Sequence, residues 1–295
     1  MSMRIKTNVS SLTAQRHLGN NQSKMEQSIE RLSSGNRINK SADDAAGLAI
    51  SDNMRSKIRG LNVAKRNAND GVSMIQIAEG SMNEMTNILV RLRELTVQSA
   101  TDTVGSKERS YLNKEYVQLV DEIDRIANTT EFNSTLLFSK DTDSTYVLQV
   151  GVNNPMSNIT DPDNSDTLTI DLAGLQTFNS ADLDLSGSTI GPETVDDDGP
   201  DTADIAANID LIDSALTQVA TERATLGSIQ SRLGSALNNL AISVESTTTA
   251  KSRIKDTDFA AEATNLSQQR ILSQASTSVL AQSNVIPELA LSLLR

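Results

Sequence analysis

Apolar residues recur in steps of three and four along two long arms of the chain. The N-terminal series comprises Met54, Ile58, Leu61, Ala68, Val72, Ile75, Met82, Met85, Leu89 and Leu92, and a second series comprises Leu112, Tyr116, Leu119, Ile123 and Ile126. The C-terminal arm carries Ile205, Ile209, Ile212, Leu216, Val219, Leu226, Leu233, Leu237, Leu240 and Val244. Spacings that sum to seven over several heptads predict helices that pack along a seam, as in coiled coils.

The middle of the chain changes to a period of two. Tyr146, Leu148 and Val150 predict one short strand, and the alternating apolar positions from Leu168 to Leu172 predict another. The following stretch, 176–202, has few apolar anchors and is predicted to be a surface loop. The expected fold class is therefore mainly α: a long, coiled-coil-like helical bundle formed by the two arms, with a small β-hairpin region between them.

The start of the long N-terminal helix carries a capping signal. Ser41 is the predicted N-cap, and Asp44 stands three residues later, where an acid can accept the free N–H groups of the first turn. Three glycines, Gly60, Gly71 and Gly80, interrupt this helix and each disfavours it by up to about 1 kcal/mol relative to Ala. We expect them to permit close helix approach or a local bend.

Composition and charge exclude several function classes. Cysteine is absent and His17 is the single histidine, so a cluster of thiolate or imidazole ligands for a metal ion is excluded. Asp43, Asp44 and Gly47 are interpreted as a helix start, because no acid–base or metal partner accompanies the carboxylates. The net charge is −12, and the acidic residues are concentrated in the middle, so nucleic acid and anionic lipid are not expected partners. We expect no enzyme activity, no metal and no cofactor.

The two ends of the chain predict assembly. The N-terminus has no apolar signal-peptide core, and no run of about 18 apolar residues could span a membrane. The C-terminal tail has a narrow heptad seam, with Gln282 as its polar member, comprising Leu272, Val279, Ile286, Leu289 and Leu293 together with Ala275. Terminal helices with such narrow stripes depend on tertiary burial, so the sequence predicts a polymer subunit whose ends pair with each other and with neighbouring copies.

Motifs at both ends resemble those of bacterial flagellin. The N-terminal arm contains ERLSSGNRIN at 30–39, DDAAGLAI at 43–50, NANDG at 67–71 and RLREL at 91–95. The C-terminal arm contains SRI at 252–254, DF at 258–259, TSVLAQ at 277–282 and LSLLR at 291–295. The resemblance covers roughly residues 1–175 and 205–295, and the motifs occur in the family's order.

The resemblance implies an extracellular filament subunit with a particular domain organisation. Residues 1–42 and 253–295 would form the inner filament-core domain, residues 43–175 and 205–252 the middle helical domain, and residues 176–204 a short variable acidic loop in place of outer domains. The implied partners are other copies of the chain or other flagellins, an export chaperone, the flagellar type III export apparatus, and the filament cap and hook-junction proteins. Export without a cleaved signal would explain the absent signal peptide.

The resemblance also implies candidate contacts with an animal immune receptor. Arg91, Leu95 and Glu115 match positions that flagellins use to bind the Toll-like flagellin receptor, although a solvated helix face or a subunit contact would explain the same residues. Two alternative functions stay open from the sequence: a hook–filament junction protein, which also has flagellin-like ends, and a secreted helical binding module that does not polymerise.

Overall fold

Helices dominate the part of the chain that the computed structural model describes, residues 8–138, 145–152, 166–192 and 202–292. Five α-helices occur there: α1 (Val9–Ser34), α2 (Ala45–Ser99), α3 (Ser106–Thr129), α4 (Thr202–Lys255) and α5 (Phe259–Ser292). Two antiparallel hairpins accompany them, one formed by β1 (Glu131–Phe132) and β2 (Thr135–Leu136), the other by β3 (Thr145–Gln149) and β4 (Thr167–Asp171). A short 3₁₀-helix spans Ala173–Thr177. The expected mainly α fold class with a small β element is confirmed.

The chain divides into two compact units. Unit 1 comprises residues 1–58 and 245–295, and unit 2 comprises residues 59–244. Helices α1 and α5 belong to unit 1, α3 and the two hairpins belong to unit 2, and α2 and α4 each contribute residues to both units. The domain boundaries drawn from the sequence remain a prediction.

The core of unit 2 is built from the heptad positions. The largest fully buried side chains include Met82, Met85, Leu89 and Leu92 of α2, and Tyr116 and Ile123 of α3, while α4 contributes Ile212, Leu226 and Leu233 to the same core. One edge-to-face aromatic pair, Phe138 with Phe178, adds to it at a ring-centroid distance of 6.4 Å. Burial of these stripes against one another stabilises helices that would be marginal alone.

The predicted capping residue of α2 is wrong by three positions. The helix begins at Ala45, and Asp44 is its cap, with an Oδ1 atom that accepts from the backbone N–H of Gly47 at 2.9 Å. Ser41 lies in the preceding turn. Asp43 closes that turn by accepting the backbone N–H groups of Asn39 and Lys40, both at 3.0 Å. Asp44 therefore caps the helix, while the neighbouring carboxylate of Asp43 organises the preceding turn.

The longer hairpin explains two of the three helix glycines. Strands β3 and β4 pair with Tyr146 opposite Ile170 and Leu148 opposite Leu168, as the period of two predicts. A Cβ atom at Gly60 would collide with the side chain of Val152, and one at Gly71 with Leu148. These glycines therefore admit the hairpin region, and at Gly71 an added Cβ would also come within 3.6 Å of Leu233 on α4, an ordinary contact distance. At Gly80 an added Cβ would meet open space.

The segment Phe178–Pro192, here called the strap, is packed, contrary to the expected absence of anchors in 176–202. Its buried apolar side chains are those of Phe178, Leu183, Leu185 and Ile190. The carboxylate of Asp124 accepts both the backbone N–H and the hydroxyl of Ser180, each at 2.6 Å. The apolar residues of the strap are irregularly spaced, so neither helical nor strand periodicity reveals them. The remainder of the predicted loop, 193–201, lies outside the described residues.

Hydrogen bonds connect the end of the strap to α2, α3 and α4. Ser99 of α2 donates its hydroxyl to the carbonyl of Ile190. Asn113 of α3 accepts the Ile190 N–H at 3.0 Å, and Asn208 of α4 donates to the carbonyl of Thr189 at 2.9 Å. These groups are buried, and their mutual satisfaction explains how an irregular segment can enter an apolar core.

Candidate interaction surfaces

Helices α1 and α5 pair along a seam rich in small and polar residues. The fully buried residues of this seam are Ser11, Ala14 and Ser28 on α1, and Glu262 and Ser283 on α5. The half-buried ones are Leu18, Asn21, Met25, Arg31 and Leu32 on α1, with Ala263, Leu266, Gln269, Ser273, Ser276 and Leu280 on α5. Their Cα atoms approach within 8 Å along the pair, which small side chains permit. The expected pairing of the chain ends is confirmed.

Hydrogen bonds cross this seam at both helices' polar positions. Asn8 donates its side-chain amide to the carbonyl of Ser283 at 2.8 Å, and the Ser11 hydroxyl donates to Asn284 at 2.8 Å. Further along the pair, Asn21 donates to the Ser276 hydroxyl at 3.1 Å. Apolar periodicity alone missed this seam; the signal that could have found it is the heptad spacing of Ser, Asn and Gln residues.

Two residues of the apolar seam predicted on α5 are exposed. Leu272 is 39% exposed and Val279 is 59% exposed, so neither side chain is buried by the rest of the chain. Other exposed apolar residues of the helix pair are Phe259, Ile271 and Val285 on α5, and Val9, Leu12 and Ile29 on α1. Ile286 and Leu289 lie in α5 with side chains outside the description, and Leu293 lies outside the described residues.

The connections next to this pair are bonded to each other. Gly35 ends α1 in the left-handed region, at φ 69°, which glycine adopts without strain. The backbone N–H of Arg37 donates to the carbonyl of Lys255 at 2.6 Å, and that of Thr257 donates to the carbonyl of Gly35 at 3.0 Å. We call this pair of backbone bonds the clamp. It joins the end of α1 to the start of α5 within unit 1.

Two of the three residues proposed as receptor contacts form an exposed ionic cluster. The Arg91 guanidinium donates through Nε to Glu115 at 2.9 Å and through Nη1 to Glu94 at 2.9 Å. The hydrogen bonds that Arg91 donates to the carboxylates of Glu115 and Glu94 raise the pKa of this guanidinium, which is charged throughout the physiological pH range. Leu95, by contrast, is fully buried in the core of unit 2 and lies beneath this surface.

The structure adds ionic contacts that the sequence motifs do not mark. Arg93 on α2 pairs with Asp213 on α4, with an Nε to Oδ1 distance of 2.7 Å, and this bond lowers the pKa of Asp213. Arg125 pairs with Glu122 in the same way along α3, lowering the pKa of Glu122. Among the described residues, no group of three or more histidine or carboxylate side chains is arranged to hold a metal ion. Within the same residues, none of the helices has both the length and the apolar character needed to cross a bilayer.

Comparison with known proteins places the chain in a family. A model of the bacterial flagellin N-terminal helical region matches residues 5–143, and one of the C-terminal helical region matches residues 209–294. Flagellin of Halalkalibacterium halodurans is 41% identical over 293 residues, covering 99% of this chain and all of that protein. Flagellin of Bacillus subtilis is 41% identical over 318 residues, with 99% of this chain and all of that protein covered.

A third relative also aligns over the full length of both chains, although it is longer than this one. Flagellin D of Vibrio cholerae is 36% identical over 376 aligned positions, covering all of both chains, so it contains residues that this shorter chain lacks. The matches extend over both arms and include the paired helices of unit 1 and the bundle of unit 2. The chain therefore belongs to the bacterial flagellins, the structural subunits that polymerise into the extracellular flagellar filament for swimming motility.

Proposed function

We propose that the α1–α5 pair is the part of the subunit that builds the filament core, and that its outward apolar residues form the contacts between neighbouring subunits. The observation that carries this proposal is the distribution of side chains on α5. The α5 residues that face α1 are mostly small or polar, with Leu266 and Leu280 among them, whereas Leu272 and Val279 remain exposed. In an isolated soluble chain the same pattern is unfavourable, because apolar surface stays in contact with water.

The size of the exposed apolar surface supports a specific neighbour. Phe259 and Ile271 are both 66% exposed, and with Leu272, Val279 and Val285 they extend along most of the described length of α5. Together these exposed residues support an interaction surface along α5. The predicted seam residues Ile286, Leu289 and Leu293 continue the series toward the C-terminus. In the filament, a second copy of the chain is the partner that buries them.

Seeded growth followed by electron microscopy tests the proposal. We expect the full chain to extend filament seeds and a truncation lacking 253–295 to fail. The sharper variant is Val279→Asp, which places a charge on the proposed subunit contact. Its matched control is Gln268→Asp, which adds the same charge at another exposed position of α5. Growth of the Val279→Asp chain at the rate of the control would contradict the proposed contact.

Sedimentation separates assembly from a soluble binding role. A filament subunit should shift to large particles when seeds are added, whereas a binding module stays small. If the full chain remains small under conditions in which seeds from a related flagellin elongate, the assembly role of the terminal pair fails. Growth of the full chain together with growth of the truncation would instead place the subunit contacts in unit 2.

We also propose the transit partners that family membership implies: an export chaperone, the type III export apparatus, and the cap and hook-junction proteins. The exposed apolar residues of α5 support a chaperone, because they need protection from non-specific association before export. Co-purification of the soluble chain with the chaperone of its own organism tests this. We expect Val279→Asp to weaken the complex and Gln268→Asp to leave it unchanged.

Recognition by the animal Toll-like flagellin receptor is a second proposed function. It is supported by the exposure of Arg91 and Glu115 and by their mutual bond, which presents a fixed guanidinium at the surface of the α2–α3 pair. Arginine is a frequent energetic centre of protein interfaces. In this proposal Leu95 does not contact the receptor, and its buried side chain stabilises the helix that carries Arg91.

Activation of receptor-bearing cells by purified monomer tests recognition. We expect Arg91→Ala to reduce potency by about tenfold or more, the loss typical of an interface centre. The matched control is Arg125→Ala, because Arg125 is another exposed arginine paired with a glutamate on the same helix pair. Equal potency of Arg91→Ala and wild type, or failure of the wild-type monomer to activate, would contradict the proposal.

A further inference from the structure

The α1–α5 seam is not composed for maximal stability. Ser11, Ser28 and Ser283 are buried where coiled coils ordinarily place Leu or Ile. Among the buried side-chain atoms of this seam, the Arg31 Nε, Gln269 Oε1 and Ser283 Oγ atoms have no hydrogen-bond partner among the described residues. An unpaired buried polar atom destabilises the folded state, so these residues oppose the stability of the pair.

Heptad spacing leaves the alignment of the pair open to a shift of seven residues. The residues of α5 that meet α1 recur every seven positions, as Ser276 and Ser283 do. On α1 the half-buried Leu18, Met25 and Leu32 recur in the same way, so their apolar contacts alone do not exclude a shift of one heptad. A buried polar residue is known to fix the register of a helix pair at the expense of stability. A shift of one heptad keeps the same face of α5 outward but moves its apolar seam along the helix axis by about 10 Å relative to α1.

Two direct side-chain bonds distinguish the observed alignment. Ser11 meets Asn284 at 2.8 Å, and Asn21 meets Ser276 at 3.1 Å. A shift of one heptad would replace Asn284 by Thr277 opposite Ser11. We propose that these two pairs are register-determining residues, which select the α1–α5 alignment and thereby set the axial position of the apolar seam of α5 relative to α1. This inference rests on the proposed role of α5 in assembly, but the alignment itself can be measured without a filament.

Engineered cysteines report the alignment on a clean background, because the chain contains no cysteine. The pair Ser11→Cys with Asn284→Cys reports the observed register, and Ser11→Cys with Thr277→Cys reports the shifted one. Each reporter pair replaces Ser11 and so removes its hydrogen bond to Asn284. The choice of register then depends on the bond between Asn21 and Ser276. Cross-linking with a short reagent is measured on the full chain, both soluble and after seeded growth.

The test variant is Asn21→Leu with Ser276→Leu in each reporter chain. We expect the ratio of shifted to observed product to rise about fivefold, the change in population that one net hydrogen bond produces. The matched control is Gln22→Leu with Ser278→Leu, which adds the same apolar residues at exposed positions of the two helices. We expect the control to leave the ratio unchanged.

Each other outcome overturns the inference. An unchanged ratio in the test variant would mean that the clamp between Arg37 and Lys255 fixes the alignment alone. Loss of both products would make Asn21 and Ser276 necessary for pairing itself and not for the choice of register. The ratio in the soluble chain keeps the two proposals distinguishable: a shifted ratio with unaltered filament growth contradicts the assembly role of α5, whereas an unchanged ratio contradicts only register selection.

Discussion

Units 1 and 2 both pair helices through heptad-spaced residues, yet they bury opposite kinds of side chain. Unit 2 buries Met82, Leu89 and Leu92 of α2 against residues of α3, α4 and the strap. In unit 1, serine, asparagine and an arginine–glutamate pair occupy the seam between α1 and α5, where the Arg31 and Glu262 side chains are 3.8 Å apart. Leu266 and Leu280 of α5 are half-buried in that seam, whereas other apolar residues of α5, such as Leu272 and Val279, stay exposed.

The difference teaches that one heptad pattern can serve two purposes in a polymer subunit. An apolar seam supplies stability within the chain, because burial of each large side chain contributes about 1.5–3 kcal/mol. A polar seam contributes little stability but defines a partner and an alignment, and it keeps the apolar positions available for other copies. We therefore expect unit 2 to be the more stable of the two units in the soluble chain, and unit 1 to gain stability on assembly.

The largest expected effect is on the unfolding of unit 2. Leu92→Ala removes a fully buried side chain and should lower the free energy of unfolding by about 2–5 kcal/mol. Its counterpart in unit 1 is Leu18→Ala, at a half-buried seam position, where the loss should be about 1 kcal/mol or less. Guanidinium unfolding of the soluble chain, followed by circular dichroism, measures both. Equal losses would remove the distinction between the two units.

Polar bonds within the apolar core of unit 2 provide the next test. Asp124→Ala leaves the N–H and hydroxyl of Ser180 without their acceptor and should destabilise the chain by about 1–3 kcal/mol. The matched control is Asp121→Ala, because Asp121 is an exposed acid of the same helix. We expect its unfolding midpoint to stay close to that of wild type. A comparable loss in the control would mean that helix charge, and not the strap, determines the effect.

Much of unit 2 was predictable from the sequence because its periodic residues are also its buried ones. The strand positions Tyr146 and Ile170 follow for the same reason, since a period of two and a half-buried hairpin coincide. The strap was missed because Phe178 and Ile190 are held by irregular backbone bonds that no periodicity encodes. The α1–α5 seam was missed because its markers are serines and asparagines, which a search for apolar stripes passes over.

The candidate surfaces were predictable to different extents. Family motifs drew attention to Arg91, Leu95 and Glu115, but only the structure shows that the first and last form an exposed pair while Leu95 is buried. Burial depends on the supercoil of packed helices, which shifts the core face gradually along a long helix. The apolar seam of α5 was visible in the sequence, whereas the exposure of its residues Leu272 and Val279 required the three-dimensional pairing.

Two glycines of α2 should respond to alanine with opposite signs. Gly80→Ala adds a methyl group in open space and should raise the free energy of unfolding by up to about 1 kcal/mol, because alanine favours the helix. Gly60→Ala places its methyl group against the branched side chain of Val152, which cannot rotate away freely, and should lower it by about 1–3 kcal/mol. Thermal unfolding monitored at 222 nm, a wavelength sensitive to helix content, compares them. Stabilisation by both variants would mean that Val152 and the hairpin region shift to make room for the added methyl group.

The smallest expected effect concerns acid pH and compares one carboxylate from each unit. Hydrogen bonds from the backbone N–H groups of Lys40 and Asn39 lower the pKa of Asp43 in unit 1, whereas the Arg93 guanidinium lowers the pKa of Asp213 in unit 2. Because both values are depressed in the folded chain, the stability that each contributes is present above the ordinary aspartate pKa and is lost as the pH falls through the folded value.

Salt should separate these two carboxylates, because an exposed ion pair is screened more strongly than a pair of short backbone bonds. We expect added salt to raise the pKa of Asp213 toward its ordinary value and to leave that of Asp43 nearly unchanged. Titration of the side-chain carboxyl signals by NMR at low and high ionic strength measures both, with Arg93→Gln as the variant that should raise the pKa of Asp213 without salt. An equal response of the two groups would show that long-range charge sets both pKa values, and not the hydrogen-bond donors next to each carboxylate.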